Sequence, residues 1–259
     1  MIKKILLVIL IIFSMLQAED YSMLNLSSPT SLENRQICFS VRHRFYGDIG
    51  KEPLKTFFGM DAGANTLLSL RIQPYPNLEI KTSYIRLKKR KSIGLSYTLA
   101  PEKLPFLSQI DFEYFAFEES GLQDEKRSNL LGILSLRNRP IGERFTALTN
   151  IGYDAYYERP FLGIGALIHL LNGLGSFEQV DLILEYFPVL DRDSAGEKLA
   201  DYIQPQNAAG IALKLDTYGH RFLLSLTNSS HFHAHRLTLG TADDAFWRFG
   251  FNIERILYF

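Results

Sequence analysis

The sequence predicts an all-β protein, an antiparallel up-and-down transmembrane β-barrel of about twelve strands with both termini in the periplasm. Three observations point there. Apolar and polar residues alternate with period two in successive blocks from Gln36 to the C-terminus, as in strands that bury one face. The connections between blocks alternate between short and longer, as in a barrel with tight periplasmic turns and larger loops outside. Aromatic residues, 13% of the chain, gather near block ends, where amphipathic rings favour a membrane–water boundary.

The first residues form an export signal. Lys3 and Lys4 precede the apolar run 5–13, and Ala18 stands before the acidic pair Glu19-Asp20. A basic start, a short apolar core and a small residue before polar sequence make a secretory signal, here residues 1–18. The run is too short to cross a bilayer as a helix. Residues 19–35, polar and interrupted by Pro29, read as an irregular periplasmic lead-in, and 36–259 as the barrel. Cys38 is the only cysteine, so no intramolecular disulfide staples the fold.

The strands follow in order. Ile37, Phe39, Val41 and Phe45 make the first apolar row, opposite Cys38, Ser40, Arg42 and Arg44. Leu68, Leu70 and Ile72 make the second, ending at the turn 74–77, and a weaker block at 78–86 makes the third. Ile93, Leu95, Tyr97 and Leu99 alternate with Ser92, Gly94, Ser96 and Thr98. The fifth and sixth blocks are 110–114 and, less clearly, 129–137. Blocks at 145–153, 162–168 and 180–186 carry the pattern onward, and 211–215 and 222–226 follow. The last block sets Trp247, Phe249, Phe251, Ile253, Leu257 and Phe259 against Arg248, Gly250, Asn252 and Glu254. Its outward residues Phe251, Ile253, Leu257 and Phe259 resemble the C-terminal signal that the outer-membrane assembly machinery recognises.

A soluble sandwich also alternates, but blocks near ten residues exceed the usual soluble strand and suit a tilted crossing of hydrocarbon. Closure pairs every backbone group within the sheet, which lipid requires. With 28 basic and 28 acidic residues there is no basic field for nucleic acid. The expected surroundings are outer-membrane lipid and lipopolysaccharide, the latter met by the loop run Lys88-Lys89-Arg90-Lys91.

Several stretches resemble a bacterial outer-membrane β-barrel family known as a domain of unknown function. They are Arg42-His43-Arg44-Phe45, then Phe57-Phe58-Gly59-Met60-Asp61-Ala62-Gly63-Ala64-Asn65, and near the end Gly219-His220-Arg221-Phe222, Leu226-Thr227-Asn228-Ser229 and Phe249-Gly250-Phe251-Asn252-Ile253. The resemblance implies a barrel in the outer membrane and no particular activity.

Alternation places Arg42, Arg44, Arg71, Asp111, Glu113, Arg137, Arg144, Asp181, Glu185, Lys214, Arg248 and Glu254 toward the lumen. Charges of both signs there either screen a solute pathway or knit a plugged interior, and a barrel of this size favours the narrow or plugged case. Gly163 and Gly165, also inward, leave room for something bulky opposite, such as the lead-in. The expected role is a narrow channel or a structural or binding barrel, with no cofactor and no enzymatic chemistry. The alternative rests on the loop 229–245, as a rim-located hydrolase or metal-binding barrel. Ser229, Ser230, His43, Asp48 and Asp61 are hydrolase candidates, and Asp243 and Asp244 stand in the same loop. On an extended strand, His231, His233 and His235 would share one face and converge on a metal.

Overall fold

The computed structural model describes residues 23–29, 32, 35–99, 105–119, 125–142, 144–193, 195, 205–241 and 246–258. The predicted export signal lies outside them. Twelve antiparallel strands close into a barrel in which each pairs with its sequence neighbours and β1 pairs with β12. They are β1 (Gln36–Phe45), β2 (Ala64–Tyr75), β3 (Leu78–Ile85), β4 (Arg90–Leu99), β5 (Phe106–Glu119) and β6 (Glu125–Asn138). The second half comprises β7 (Phe145–Asp154), β8 (Arg159–Leu174), β9 (Phe177–Phe187), β10 (Ala208–Thr217), β11 (His220–Thr227) and β12 (Arg248–Tyr258). Closure runs from Gln36 opposite Tyr258 to Arg44 opposite Gly250.

The two rims differ. At the turn end, Pro76 and Asn77 join β2 to β3, with Asn77 at φ +65° supplying the left-handed residue of a tight hairpin. Tyr218 and Gly219 likewise join β10 to β11, with Gly219 at φ +79°. At the loop end the connections β1–β2, β9–β10 and β11–β12 are long, and the last carries a helical turn, α1 (Ala234–Leu237).

β4 shows the physical plan without interruption. Arg90, Ser92, Gly94, Ser96 and Thr98 are buried inward, whereas Ile93, Leu95, Tyr97 and Leu99 are exposed outward. Every strand adds large apolar residues to this outer belt, with Ile93 59% and Phe112 57% exposed. A continuous apolar surface of this kind belongs in hydrocarbon, and the chain is a transmembrane β-barrel.

The apolar core lies inside the barrel. Phe115 and Phe117 on β5, Leu131 and Ile133 on β6, Phe161 and Leu167 on β8, Ile183 and Phe187 on β9, and Leu223 on β11 point inward. They meet Met23, Leu24 and Leu26 of the lead-in, and Ala234 and Leu237 of the last loop. Two chain segments therefore fill the lumen. Part of the aromatic content serves this filling: Tyr156, Tyr157 and Phe187, which look like girdle residues in the sequence, face inward, whereas Tyr84, Tyr114, Tyr153 and Tyr186 are outward.

Candidate functional site: a plugged lumen

Toward the turn end, the lumen wall carries a belt of ion pairs. Glu254 on β12 accepts from Arg42 on β1 at 3.3 Å and from Arg221 on β11 at 3.1 Å. Arg221 also holds Asp216, Asp216 holds Lys214, and Lys214 holds Asp181, all within 3.0 Å. Asp181 completes this arc with His169 on β8 at 2.9 Å. On the other side Arg71 approaches Glu254 and Glu79, while Lys81 on β3 pairs with Asp111 on β5 at 2.9 Å. Each cation of this belt faces a carboxylate, as buried charges must.

The lead-in is clamped across this wall. Glu185 on β9 accepts the backbone N–H of Asn25 at 2.8 Å and of Leu26 at 3.1 Å. Asn150 on β7 accepts the N–H of Ser27 and donates to its carbonyl, both at 2.7 Å. Ser27 Oγ donates to Asp111 Oδ2 at 2.6 Å, and Arg42 donates to the Leu24 carbonyl. A segment without a sheet partner leaves its backbone groups unpaired unless side chains take them. Here side chains from three strands, β1, β7 and β9, do so, while β5 holds the Ser27 hydroxyl.

Glycines make the room. A Cβ on Gly163 would lie 2.5 Å from the Leu26 side chain, one on Gly165 2.6 Å from it, and one on Gly210 2.6 Å from Leu24. Residues 23–28 are therefore seated within the lumen.

The last loop closes the other side. Phe232 is buried beside Leu67 and Ile85, and the His233 ring packs edge-on against Phe115 at 5.5 Å. Arg236 donates to the Tyr157 hydroxyl at 2.8 Å. Burial pushes the Tyr157 phenol above its ordinary pKa, against the opposing pull of Arg236. Between this plug, the lead-in and the wall of β1–β6 remains a cavity of about 130 Å³, bordered by Arg42, Arg71, Lys81, Glu113, Phe232 and His233.

Of the residues predicted to face the lumen, Arg42, Arg44, Arg71, Asp111, Glu113, Arg137, Asp181, Glu185, Lys214, Arg248 and Glu254 lie on inward positions. Arg144 does not. It precedes the first residue of β7 in an exposed turn, where the inward–outward rule no longer applies. Phe251, Ile253 and Leu257 sit on the outward row of β12, and Phe259 lies outside the described residues.

The expected histidine strand is absent, because irregular backbone at 231–232 and a bend at 233 lead into the helical turn α1, and helical geometry does not keep the shared face of an i, i+2, i+4 set. Asp243 and Asp244 lie outside the described residues. The hydrolase candidates are not drawn together. His43 stacks on Phe251 at 4.6 Å on the outward face, Ser229 Oγ accepts the His231 N–H, and Asp48 caps the Gly50 N–H.

Sequence reasoning missed Arg90. It stands in the run 88–91, which looks like a solvated basic tip, yet it is buried in the lumen over Phe115 at 5.5 Å and Phe117 at 5.6 Å. The signal was present, since Arg90 is in phase with inward Ser92, Gly94 and Ser96.

The end of the chain carries a family signature. Residues 168–257 match the family model of a membrane bound beta barrel domain (DUF5777). The match runs from β8 to β12 and includes the motifs at 219–222, 226–229 and 249–253, leaving those at 42–45 and 57–65 outside it. No curated protein sequence matches the chain. Among solved structures, a KdgM porin is similar at a TM-score of 0.46 and 10% identity, over 85% of this chain and 98% of that one. LpxR from Salmonella typhimurium gives 0.46 and 11%, over 86% and 100% of the two chains. The high pH structure of Pseudomonas putida OprB gives 0.34 and 10%, over 76% and 60%. At these scores they transfer no function to this chain.

Proposed function

We propose that this protein is an outer-membrane barrel of a Gram-negative cell, exported by residues 1–18, that rests closed and acts as a binding barrel or gated narrow passage rather than an enzyme. The turn end faces the periplasm and the loop end the exterior, in keeping with the short-turn, long-loop asymmetry of such barrels. Phe251, Ile253 and Leu257 on the outward row of β12 serve the assembly machinery, together with Phe259 of the same sequence motif. Outside, exposed Lys91 meets lipopolysaccharide phosphate.

One observation carries the closed state. Residues 24–27 are hydrogen-bonded to β1, β5, β7 and β9 at once, so they cross the lumen rather than line it. An open diffusion pore needs a continuous water path, which this segment and the 229–241 plug interrupt.

Planar-bilayer recording tests the reading. The mature chain is expected to be silent or to open only in brief small steps, and deletion of residues 19–35 to give stable larger steps. Steady conductance from the intact chain, unchanged by the deletion, would overturn it.

A further inference from the structure

The lumen is electrostatically uneven. Toward the turn end cations and carboxylates pair, but toward the loop end several guanidiniums, among them Arg44, Arg90 and Arg236, do not. Arg44 is fully buried. Its Nη1 donates to the His43 carbonyl and to Asn252 Oδ1, both at 2.9 Å, while Nε and Nη2 have no hydrogen-bond partner. Arg90 Nε is likewise buried and unpartnered, and Arg236 spends one nitrogen on Tyr157 and leaves Nε unused. None of the three forms a salt bridge with a carboxylate among the described residues.

Aromatic faces link them into one collar. The Arg44 guanidinium lies 5.0 Å over Phe232, and the adjacent His233 packs on Phe115, which lies under Arg90. Phe117, also under Arg90, packs on Tyr156 at 5.3 Å, and Tyr156 packs on Tyr157, the partner of Arg236. Gly250 is part of the arrangement, since a Cβ there would meet the Arg44 side chain at 2.8 Å. The cavity borders the collar at Phe232 and His233, and its volume of about 130 Å³ is several times the roughly 10–15 Å³ that one water needs.

Cation–π contact recovers only part of what a guanidinium loses on leaving water. A fixed, planar fork with unused donors in a low-dielectric pocket is suited to an oxyanion, which can take two parallel N–H bonds. We propose that this arginine–aromatic collar binds the oxyanion group (carboxylate, sulfate or phosphate) of a solute entering from the loop end. The proposal does not rest on conductance, because a barrel that never opens can still bind an anion at its mouth.

Equilibrium dialysis of the full mature chain in detergent, with radiolabelled inorganic phosphate as probe, tests it. Saturable uptake is expected, weakened at least tenfold in Arg90→Gln and in Arg236→Gln and lost when both are combined with Arg44→Gln. Retention of the heat-dependent gel shift reports that each variant is folded. A second measurement needs no variant: phosphate should slow phenylglyoxal modification of Arg90, mapped by mass spectrometry, in the unaltered chain. Absence of saturable uptake, equal uptake by the folded triple variant, or no protection of Arg90 by phosphate would each overturn the site.

Discussion

Glu185 and Gly163 show how single side chains set the interior. Glu185 accepts two backbone N–H groups of the lead-in, and charge-assisted bonds of this kind contribute about 1.5–3 kcal/mol each. Glu185→Ala should therefore lower stability by roughly 3–6 kcal/mol in urea unfolding of the detergent-refolded barrel. Gly163→Val should cost about 1–3 kcal/mol by overpacking, because its new Cβ meets Leu26 at 2.5 Å. That cost should fall in a chain already lacking residues 19–35, where only the Phe187 ring, 2.7 Å from the new Cβ, still opposes it. If the two changes add, Gly163 is not reserved for the lead-in.

Tyr157 gives the same scale a pH signature. Its raised pKa means that the folded state holds the proton longer than the unfolded state does. Its contribution is fully present below the ordinary value of 10.0 and is lost as pH rises through the higher folded value. The wild type should lose more stability than Tyr157→Phe between pH 8 and pH 11, as read by thermal unfolding. Equal losses would mean that Tyr157 is not held neutral by burial.

At the scale of the strand, legibility depended on contrast between the two rows. β4 alternates residue by residue and was readable almost to its ends. β5 and β6 run to Phe106–Glu119 and Glu125–Asn138, well beyond the blocks 110–114 and 129–137. Inward Phe115, Phe117, Leu131 and Ile133 are as apolar as the outward row, so period two fades where the lumen is packed by a plug. A run with both rows apolar thus marked a wall buried on both faces, as in sheets covered on two sides. The plug loop was unreadable for another reason: its path depends on partners distant in sequence, such as Tyr157 and Phe115. Leu95→Arg, on the outward row of β4, should cost about 2–4 kcal/mol in lipid vesicles. A neutral outcome would argue that this row does not meet acyl chains.

Across the whole molecule, two surfaces of opposite character share one wall, apolar outside and compartmented inside. The interior divides into a balanced ionic belt, a glycine-padded channel occupied by residues 23–28, and an aromatic collar rich in arginine. Mean hydropathy, −0.03 over the chain, averages these regions and conceals all of them. The lead-in directly precedes β1, which begins at Gln36, and so enters the lumen beside that strand. Closure then depends on the chain's own N-terminal segment.

Cys38 offers the most direct measurement of that closure. It is the sole cysteine, it faces the lumen on β1, and it is 0% exposed. Membrane-impermeant maleimide should leave Cys38 unlabelled in the folded, vesicle-embedded wild type and label it readily once residues 19–35 are deleted. Rapid labelling of the intact barrel, at the rate seen for the deletion, would contradict a lumen closed by its own chain.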